Sequence, residues 1–388
     1  MNMRKQRCPN PFNMIFIVAI AALAWFAPAR AQDSSDGRLV SFKAMAPEIP
    51  PPGFAASGIT WLDSPPLTMA GLRGKVVMID FWEYTCINCI RTFPQNKIWY
   101  ARYQKYGFEI IGVHDPEFQI AYDVSNVRAA VERFALPYPI LVDDKFYVWN
   151  HYRNESWPSR FLIDAGGYAR YHIDGEGDDR NFELAIRKLL VEAHPGLKFP
   201  DSYTLPVDDN PSRSGCGGDP TPEMYVGPWD GRGILANDSG YHLDEKIDFK
   251  MPKRVEDGRA AVSGTWETNK NGMIFVGSAQ EPGEAASRLR MKYHATELYS
   301  VLNVAGGKPE KLYILQDGKY LTAENKGADV KIDAQGRSYI DVDSSRMYYL
   351  AVVRKFSSHT VDLIPTAPGL MVDSFTFGNS CQTDFPHN

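Results

Sequence analysis

Two cysteines separated by two residues, Cys86 and Cys89, are the side chains of this sequence best suited to chemistry. They follow directly after a strand-like apolar run at residues 76–79. A strand that ends in a Cys-x-x-Cys turn opening a helix places the first sulfur at the helix N-terminus, where unpaired N–H groups and the helix dipole favour a thiolate. The second sulfur lies one turn further on, where it can attack a mixed disulfide. The spacing predicts a redox dithiol, with Cys86 as nucleophile and Cys89 as resolving thiol.

Two other uses of this cysteine pair are weaker predictions. A zinc site needs a second Cys or His pair at ligand spacing, but the next cysteine is Cys216 and no His-x3–5-His pair follows. A structural disulfide between Cys86 and Cys89 would close so short a loop that it removes little chain entropy. The sequence therefore predicts no metal site, and dithiol chemistry requires no bound cofactor.

The residues that precede the dithiol are expected to shape its environment. Asp80 ends an apolar strand, so desolvation should raise its pKa and suit it to accept the proton of Cys89; a solvated strand-end aspartate is the alternative. Glu83 is expected to be a plain exposed acid, with a proton shuttle as the alternative. Trp82 and Thr85 lie beside it in the sequence, and Trp82 is expected to pack around the dithiol.

The N-terminal residues have the pattern of a secretory signal. A basic start, an apolar stretch at residues 14–27 and a small-x-small cleavage site predict a signal peptide over residues 1–31 and a mature start at Gln32. An uncleaved anchor is the alternative, although this stretch is short for a membrane span. The mature chain would keep 38 of the 42 basic residues against 47 acidic ones, a net charge of −9. An exported, acidic protein is predicted, and nucleic acid is not expected as a partner.

The middle of the chain alternates strand and helix patterns. Residues 32–57 are rich in proline and are interpreted as an extended lead-in, and residues 59–62 and 67–69 as a small hairpin. Helical periodicity follows the dithiol to about residue 106, and further helices and strands alternate as far as residue 193. This alternation predicts an α/β domain over residues 58–195, with a sheet covered on both faces.

The pattern changes after this domain. Prolines and glycines are concentrated in residues 196–220, which predicts an interdomain linker. Beyond it, helical periodicity disappears, and apolar residues such as Leu289, Met291 and Tyr293 alternate with charged ones. Many short strands with turns at regular spacing predict an all-β sandwich over residues 221–388.

The span from about residue 59 to residue 193 resembles the thioredoxin-like domains of the TlpA and ResA kind. Asp80 lies six residues before Cys86 and Pro94 eight residues after it, like the buried aspartate and helix-kinking proline of thioredoxins, and Trp157-Pro158 matches their cis-proline loop. More narrowly, residues 84–91 (YTCINCIR), 112–118 (GVHDPEF) and 150–154 (NHYRN) resemble the soluble portion of DipZ-type proteins. Residues 221–227 and 375–378 resemble the C-terminal domain of those proteins, which is similar to carbohydrate-binding jelly rolls.

The resemblance implies a thioredoxin-like α/β fold followed by a jelly-roll sandwich, and an exported thiol–disulfide oxidoreductase that reduces disulfides of envelope client proteins. It implies that the loop at Trp157 and Pro158 docks the substrate chain. DipZ-type proteins carry a CcdA-like membrane domain ahead of the thioredoxin domain, whereas a signal peptide is predicted here. A separate membrane-embedded electron donor of the CcdA/DsbD type is therefore expected as a partner.

Two alternative functions stay open. Residues 108–142 also resemble an insertion of peroxiredoxins, but the Thr-x-x-Cys of a thiol-dependent peroxidase requires a cysteine where this chain has Asn88. In the second alternative the sandwich binds envelope carbohydrate and the thioredoxin fold is ancillary. Trp229, Tyr241 and Trp266 are the candidates for a sugar-stacking platform, and ordinary core aromatics are the favoured interpretation.

Cys216 and Cys381 are the other two cysteines of the mature chain. Cys216 precedes the predicted sandwich and Cys381 follows its last strand. An exported protein seldom leaves two cysteines unpaired, so a structural disulfide between them is predicted, with two free thiols as the alternative.

Overall fold

The structure is a computed structural model, and it describes residues 39–47, 49, 59–205, 218–228, 233–304 and 308–379. Its N-terminal region alternates strands and helices, as the sequence predicts. In chain order these are β1 (Val40–Met45), β2 (Ile59–Leu62), β3 (Val76–Trp82), α1 (Ile87–Tyr103), β4 (Phe108–His114), α2 (Val124–Phe134), β5 (Ile140–Asp143), α3 (Tyr147–Tyr152), β6 (Ser159–Ile163), β7 (Tyr168–Asp174) and α4 (Asp179–Ala193).

These strands form one sheet in the order β1-β7-β6-β3-β4-β5-β2. The central strand β3 pairs in parallel with β4 and antiparallel with β6, and all seven of its residues are buried. Its alternate side chains enter two cores: Met78 packs in a cluster with α1, α2 and α4, whereas Ile79 packs in a second cluster with α3. A strand that is apolar on both faces is typical of a sheet covered by helices on both sides.

Among its described residues the C-terminal region contains strands and no helix, which confirms the predicted fold class of an α/β domain followed by an all-β domain. Its strands are β8 (Met224–Tyr225), β9 (Lys246–Phe249), β10 (Arg259–Thr268), β11 (Met273–Phe275), β12 (Arg288–Val304), β13 (Glu310–Gln316), β14 (Lys319–Tyr320), β15 (Lys331–Ile332), β16 (Ser338–Val342), β17 (Arg346–Pro365) and β18 (Leu370–Gly378). The two longest strands, β12 and β17, pair antiparallel along most of their length, and β12 also pairs with β18.

Two sequence-based interpretations of the first 70 residues are wrong. Part of the supposed lead-in is strand β1, which pairs antiparallel with β7; its side chains are mostly exposed, so no buried alternation marks it in the sequence. The supposed hairpin does not form, because β2 pairs with β5 instead and residues 67–69 lie outside any strand. Both errors concern edge strands, whose partners are far away in the sequence.

Helix α3 was absent from the sequence-based prediction. The carboxylate of Asp143 accepts backbone N–H bonds from Tyr147, Val148 and Trp149 at 2.8, 2.6 and 3.1 Å and so holds the first turn. Six residues are too few for a recognisable helical period, and no capping residue directly precedes the helix.

The predicted linker is partly ordered against the α/β domain. Phe199 packs edge-on against Tyr103 and Tyr106, and the N–H of Tyr203 donates to Glu183 Oε1 at 3.0 Å. The predicted signal peptide lies outside the described residues. Within the part of the chain that the structure does describe, no helix has both the length and the apolar character needed to cross a bilayer.

Cys216 and Cys381 lie outside the described residues, and their disulfide stays a prediction. Asn379 Nδ2 donates to Gly218 O at 3.1 Å, so described residues two positions from each cysteine are in contact. We expect non-reducing peptide mapping to recover a Cys216–Cys381 cross-linked peptide. Closing a loop longer than about 100 residues should add upwards of about 4.7 kcal/mol in the chain-entropy model. Alkylation of both thiols without prior reduction would contradict the pairing.

Candidate redox site

The two cysteines lie at the start of helix α1, directly after the buried end of β3. Cys86 is the N-cap residue, with extended backbone angles, and its Sγ accepts a bond from the N–H of Cys89 at 3.3 Å. The Cys86 side chain is half-buried, whereas Cys89 is fully buried, and both are free thiols. The arrangement leaves Cys86 as the sulfur that a second molecule can reach.

The electrostatic surroundings of Cys86 differ from the sequence-based expectation. Burial raises the pKa of the Cys86 thiol, and hydrogen bonding from Cys89 opposes this effect. The carboxyl groups of Glu117 and Glu223 raise it further. The helix N-terminus does supply a hydrogen bond to the Cys86 sulfur, but desolvation outweighs it. The net effect raises the pKa of Cys86, so the predicted stabilisation of its thiolate is wrong. Burial raises the pKa of Cys89 well above its ordinary value, and the neighbouring Cys86 adds to this.

Asp80 is a fully buried carboxyl on β3 and lies near Cys89. Burial raises its pKa to about 7, although the charge of Arg160 and a hydrogen bond from Asn96 Nδ2 at 3.0 Å both lower it. The charge of Asp80 in turn raises the pKa of Cys89. A carboxyl with a pKa near neutrality beside a buried thiol can accept a proton at physiological pH.

Glu83 is fully buried, so the expectation of an exposed acid is wrong. Its Oε2 accepts hydrogen bonds from Thr85 N at 2.6 Å and from Thr85 Oγ1, which satisfies that oxygen inside the turn. His114 Nε2 lies 3.7 Å from Glu83 Oε1, and the His114 ring packs edge-on against Trp82 with centroids 5.0 Å apart. Trp82 is 1% exposed and packs in the same hydrophobic cluster as Cys89.

The loop before β6 contains the residues predicted to dock a substrate. The peptide bond between Trp157 and Pro158 is cis. Trp157 is half-buried, contacts Trp149 with ring centroids 4.4 Å apart and packs against the same hydrophobic cluster as Cys86. Pro158 O accepts the N–H of Gly175 at 2.7 Å, so this carbonyl is already bonded within the domain.

The all-β region borders the dithiol, which the sequence did not indicate. The Tyr225 hydroxyl of β8 donates to Glu117 in the loop after β4, and the Tyr225 ring packs on Phe118 with centroids 5.8 Å apart. Sequence reasoning also missed Arg91, which follows the dithiol by two residues and is buried at this boundary. A basic residue on the first turns of a predicted helix gives no sign of its partner on another domain.

The aromatic residues that were candidates for a sugar platform are not available as one surface. Trp266 is fully buried, contacts Phe275 and donates its ring N–H to Ser263 O at 2.8 Å. The Tyr241 hydroxyl accepts two backbone N–H groups and donates to Val226 O at 3.0 Å. Trp229 lies outside the described residues. Trp266 and Tyr241 therefore serve the core, as the favoured interpretation expects.

A mixed sheet covered by helices, with a Cys-x-x-Cys turn at the start of α1, defines a thioredoxin-like protein. Two family models match the chain: the AhpC/TSA family over residues 52–172 and the thioredoxin-like C-terminal domain over residues 221–378. The chain is 35% identical over 121 residues to the thiol–disulfide oxidoreductase ResA of Geobacillus kaustophilus, covering 31% of this chain and 67% of that protein. The chain belongs to the thioredoxin-like thiol–disulfide oxidoreductases.

The chain also matches DipZ proteins over most of its length. Protein DipZ of Mycobacterium bovis is 32% identical over 325 residues, which covers 83% of this chain and 42% of that protein. The chain thus spans about two fifths of the length of this relative. A solved structure, the thiol–disulfide isomerase from Corynebacterium glutamicum, aligns with a TM-score of 0.33 and 24% identity, covering 37% of this chain and 96% of that chain.

Proposed function

We propose that the protein is an exported thiol–disulfide oxidoreductase that reduces disulfides of envelope client proteins. The observation that carries this proposal is a half-buried Cys86 at a helix N-cap, with the buried Cys89 behind it and the Asp80 carboxyl nearby. Each of the two thiols thus has the exposure that its step requires. The predicted signal peptide supports export.

In the first step the Cys86 thiolate attacks one sulfur of a client disulfide. A bond forms between Cys86 and that sulfur, the client S–S bond breaks, and the second client sulfur leaves as a thiolate that takes up a proton. In the loop at Trp157 and Pro158, the backbone of Trp157 holds the client chain beside the dithiol by strand-like hydrogen bonds.

In the second step Cys89 releases the client. Asp80 accepts the Cys89 proton, because its pKa of about 7 leaves a large ionised fraction at neutral pH. The Cys89 thiolate attacks Cys86 Sγ, the Cys86–Cys89 bond forms, and the mixed disulfide breaks. The client sulfur leaves as a thiolate that takes up a proton. Two electrons have then passed from the dithiol to the client. A membrane-embedded donor of the CcdA/DsbD type returns two electrons and restores both thiols.

The direction of electron flow follows from how far the reduced form is stabilised. Strong oxidants of this class have a stabilised thiolate in the reduced state. Here burial raises the pKa of Cys86, and the charges of Glu117 and Glu223 add to that effect. Because the thiolate is not stabilised, the reduced form gains little stability and the equilibrium favours the disulfide. The dithiol then gives up its electrons readily, which supports a reductase.

A redox titration in glutathione buffers tests this proposal. We expect a reduction potential nearer to about −270 mV, the value of thioredoxin, than to about −120 mV, the value of DsbA. A Cys86→Ser, Cys89→Ser protein is the control and should show no transition. A potential above about −150 mV would refute the reductase assignment. Turnover of hydrogen peroxide by the wild-type dithiol would favour the peroxidase alternative instead.

A further inference from the structure

A buried ion-pair network joins the dithiol helix to the all-β domain. Arg91 Nη1 donates to Asn88 Oδ1 at 3.0 Å and to Glu176 Oε1 at 3.1 Å. Its Nη2 lies 3.6 Å from Glu297 Oε2 on β12. The Arg91 side chain is 8% exposed and the Glu297 side chain 1%. One guanidinium therefore contacts a residue between the two cysteines and a carboxylate of the other domain.

Glu297 is held on the all-β side by two tyrosines. The hydroxyls of Tyr299 and Tyr349 donate to Glu297 Oε1 at 3.0 and 3.2 Å, and their rings stack with centroids 4.6 Å apart. Both rings belong to the hydrophobic cluster of the α/β domain, together with Val301 and Met347. This face of the all-β domain is thus packed against the redox domain.

Gly378, at the end of β18, lies opposite Glu297 in the strand register and leaves room for the ion pair. A Cβ atom at position 378 would come within 2.1 Å of Glu297 Oε2 and 2.7 Å of Arg91 Nη2. Both distances are shorter than real Cβ contacts, so a side chain here would displace the ends of Glu297 and Arg91. The network therefore depends on four separate parts of the chain: α1, the loop after β7, β12 and β18.

A buried ion pair is a weak source of stability, because desolvating two charges offsets most of their attraction. Its effect on a neighbouring titrating group is larger, because a charge near a thiol shifts the balance between thiol and thiolate. Arg91 is bonded to Asn88 in the turn between the two cysteines, where a positive charge favours a thiolate. The carboxylates of Glu176 and Glu297 lie against Arg91 and offset its charge. Of these two carboxylates, Glu297 belongs to the all-β domain.

We propose that Arg91 and Glu297 are positioning residues through which the all-β domain sets the redox equilibrium of the dithiol. Arg91 orients Asn88 within the Cys-x-x-Cys turn, and Glu297 both fixes Arg91 and offsets its charge. The all-β domain then forms part of the redox site. This inference rests on the proposed function of Cys86 and Cys89.

The test is the equilibrium of the full-length protein with glutathione, in which the dithiol and oxidised glutathione give the Cys86–Cys89 disulfide and two reduced glutathione molecules. In Glu297→Gln the charge of Arg91 is less offset, so the thiolate and hence the dithiol gain stability. We expect the equilibrium constant to shift about fivefold toward the dithiol, which is the lower end of typical coupling between sites. This corresponds to a potential about 20 mV less negative.

Asp362→Asn is the matched control. Asp362 is an equally buried carboxylate, bonded to Arg290 Nε at 2.6 Å and Arg288 Nη1 at 3.1 Å, but all three residues belong to the all-β domain. It should lower stability without moving the equilibrium with glutathione. Glu297→Asp retains the charge and should keep the wild-type potential. These two results, together with the shift in Glu297→Gln, would support the inference.

Three outcomes are distinguishable. A wild-type dithiol that never equilibrates with glutathione would overturn the proposed function and this inference with it. A normal wild-type titration with an unshifted Glu297→Gln, or with the same shift in Asp362→Asn, would overturn only the inference. Should Glu297→Gln fail to fold, Gly378→Ala displaces the ion pair without changing any charge. It should shift the equilibrium away from the wild-type value, and an unshifted value would again overturn the inference.

Discussion

The Cys89→Ser protein should accumulate mixed disulfides, and the Cys86→Ser protein should not. Cys86 is the half-buried N-cap residue, and Cys89 is fully buried one turn behind it. With serine at position 89 the attack by Cys86 still occurs, but no thiol remains to resolve the bond that forms. With serine at position 86 the remaining thiol is shielded from a second molecule. Both variants should reduce insulin no faster than buffer alone.

The measurement is non-reducing electrophoresis after incubation with a disulfide-containing peptide, followed by mass spectrometry of the cross-linked product. The cross-link should join the peptide to Cys86 alone. The double variant Cys86→Ser, Cys89→Ser is the matched control and should give no product. Trapping through Cys89 in the Cys86→Ser protein would reverse the assignment of attacking and resolving thiols.

Asp80→Asn should stabilise the fold at alkaline pH and slow the resolving step. Burial raises the pKa of Asp80 from 3.8 to about 7, so between these values the folded protein binds a proton that the unfolded chain releases. The free energy of unfolding therefore falls as the pH rises from about 4 to about 7. A shift of about three units corresponds to about 4 kcal/mol. Asp80→Asn should raise the free energy of unfolding by up to about 4 kcal/mol at pH 8 and by almost nothing at pH 4.

Urea unfolding at pH 4 and pH 8, with stopped-flow measurement of client release, checks this prediction. Asp373→Asn is the matched control, because burial also raises the pKa of Asp373, on β18, to about 7. Both variants should be stabilised at pH 8, but only Asp80→Asn should slow the attack of Cys89 on the mixed disulfide. Equal release rates in the two variants would contradict the role of Asp80 as proton acceptor.

The sequence was sufficient where the signals are local. An apolar run buried on both faces, followed at once by Cys-x-x-Cys and a helical pattern, predicted β3 and α1, because strand and helix periods are readable within a few residues. The same holds for α2, whose four buried residues share one face. Alternating apolar and charged residues predicted the all-β domain, since one face of each strand is buried. The position of Asp80 at the buried end of β3 also indicated a raised pKa.

Tertiary structure decided the surroundings of the dithiol, because they come from residues far apart in the chain. Tyr225 and Glu117 meet although 108 positions separate them, and Arg91 meets a carboxylate on β12. The predicted thiolate stabilisation at Cys86 was wrong, because the burial and nearby carboxyl groups that outweigh the helix terminus arise only on folding. Glu83 was expected at the surface but is buried. A charged residue is buried only when a particular partner satisfies it. Pairwise contacts of this kind leave no periodic pattern in a sequence.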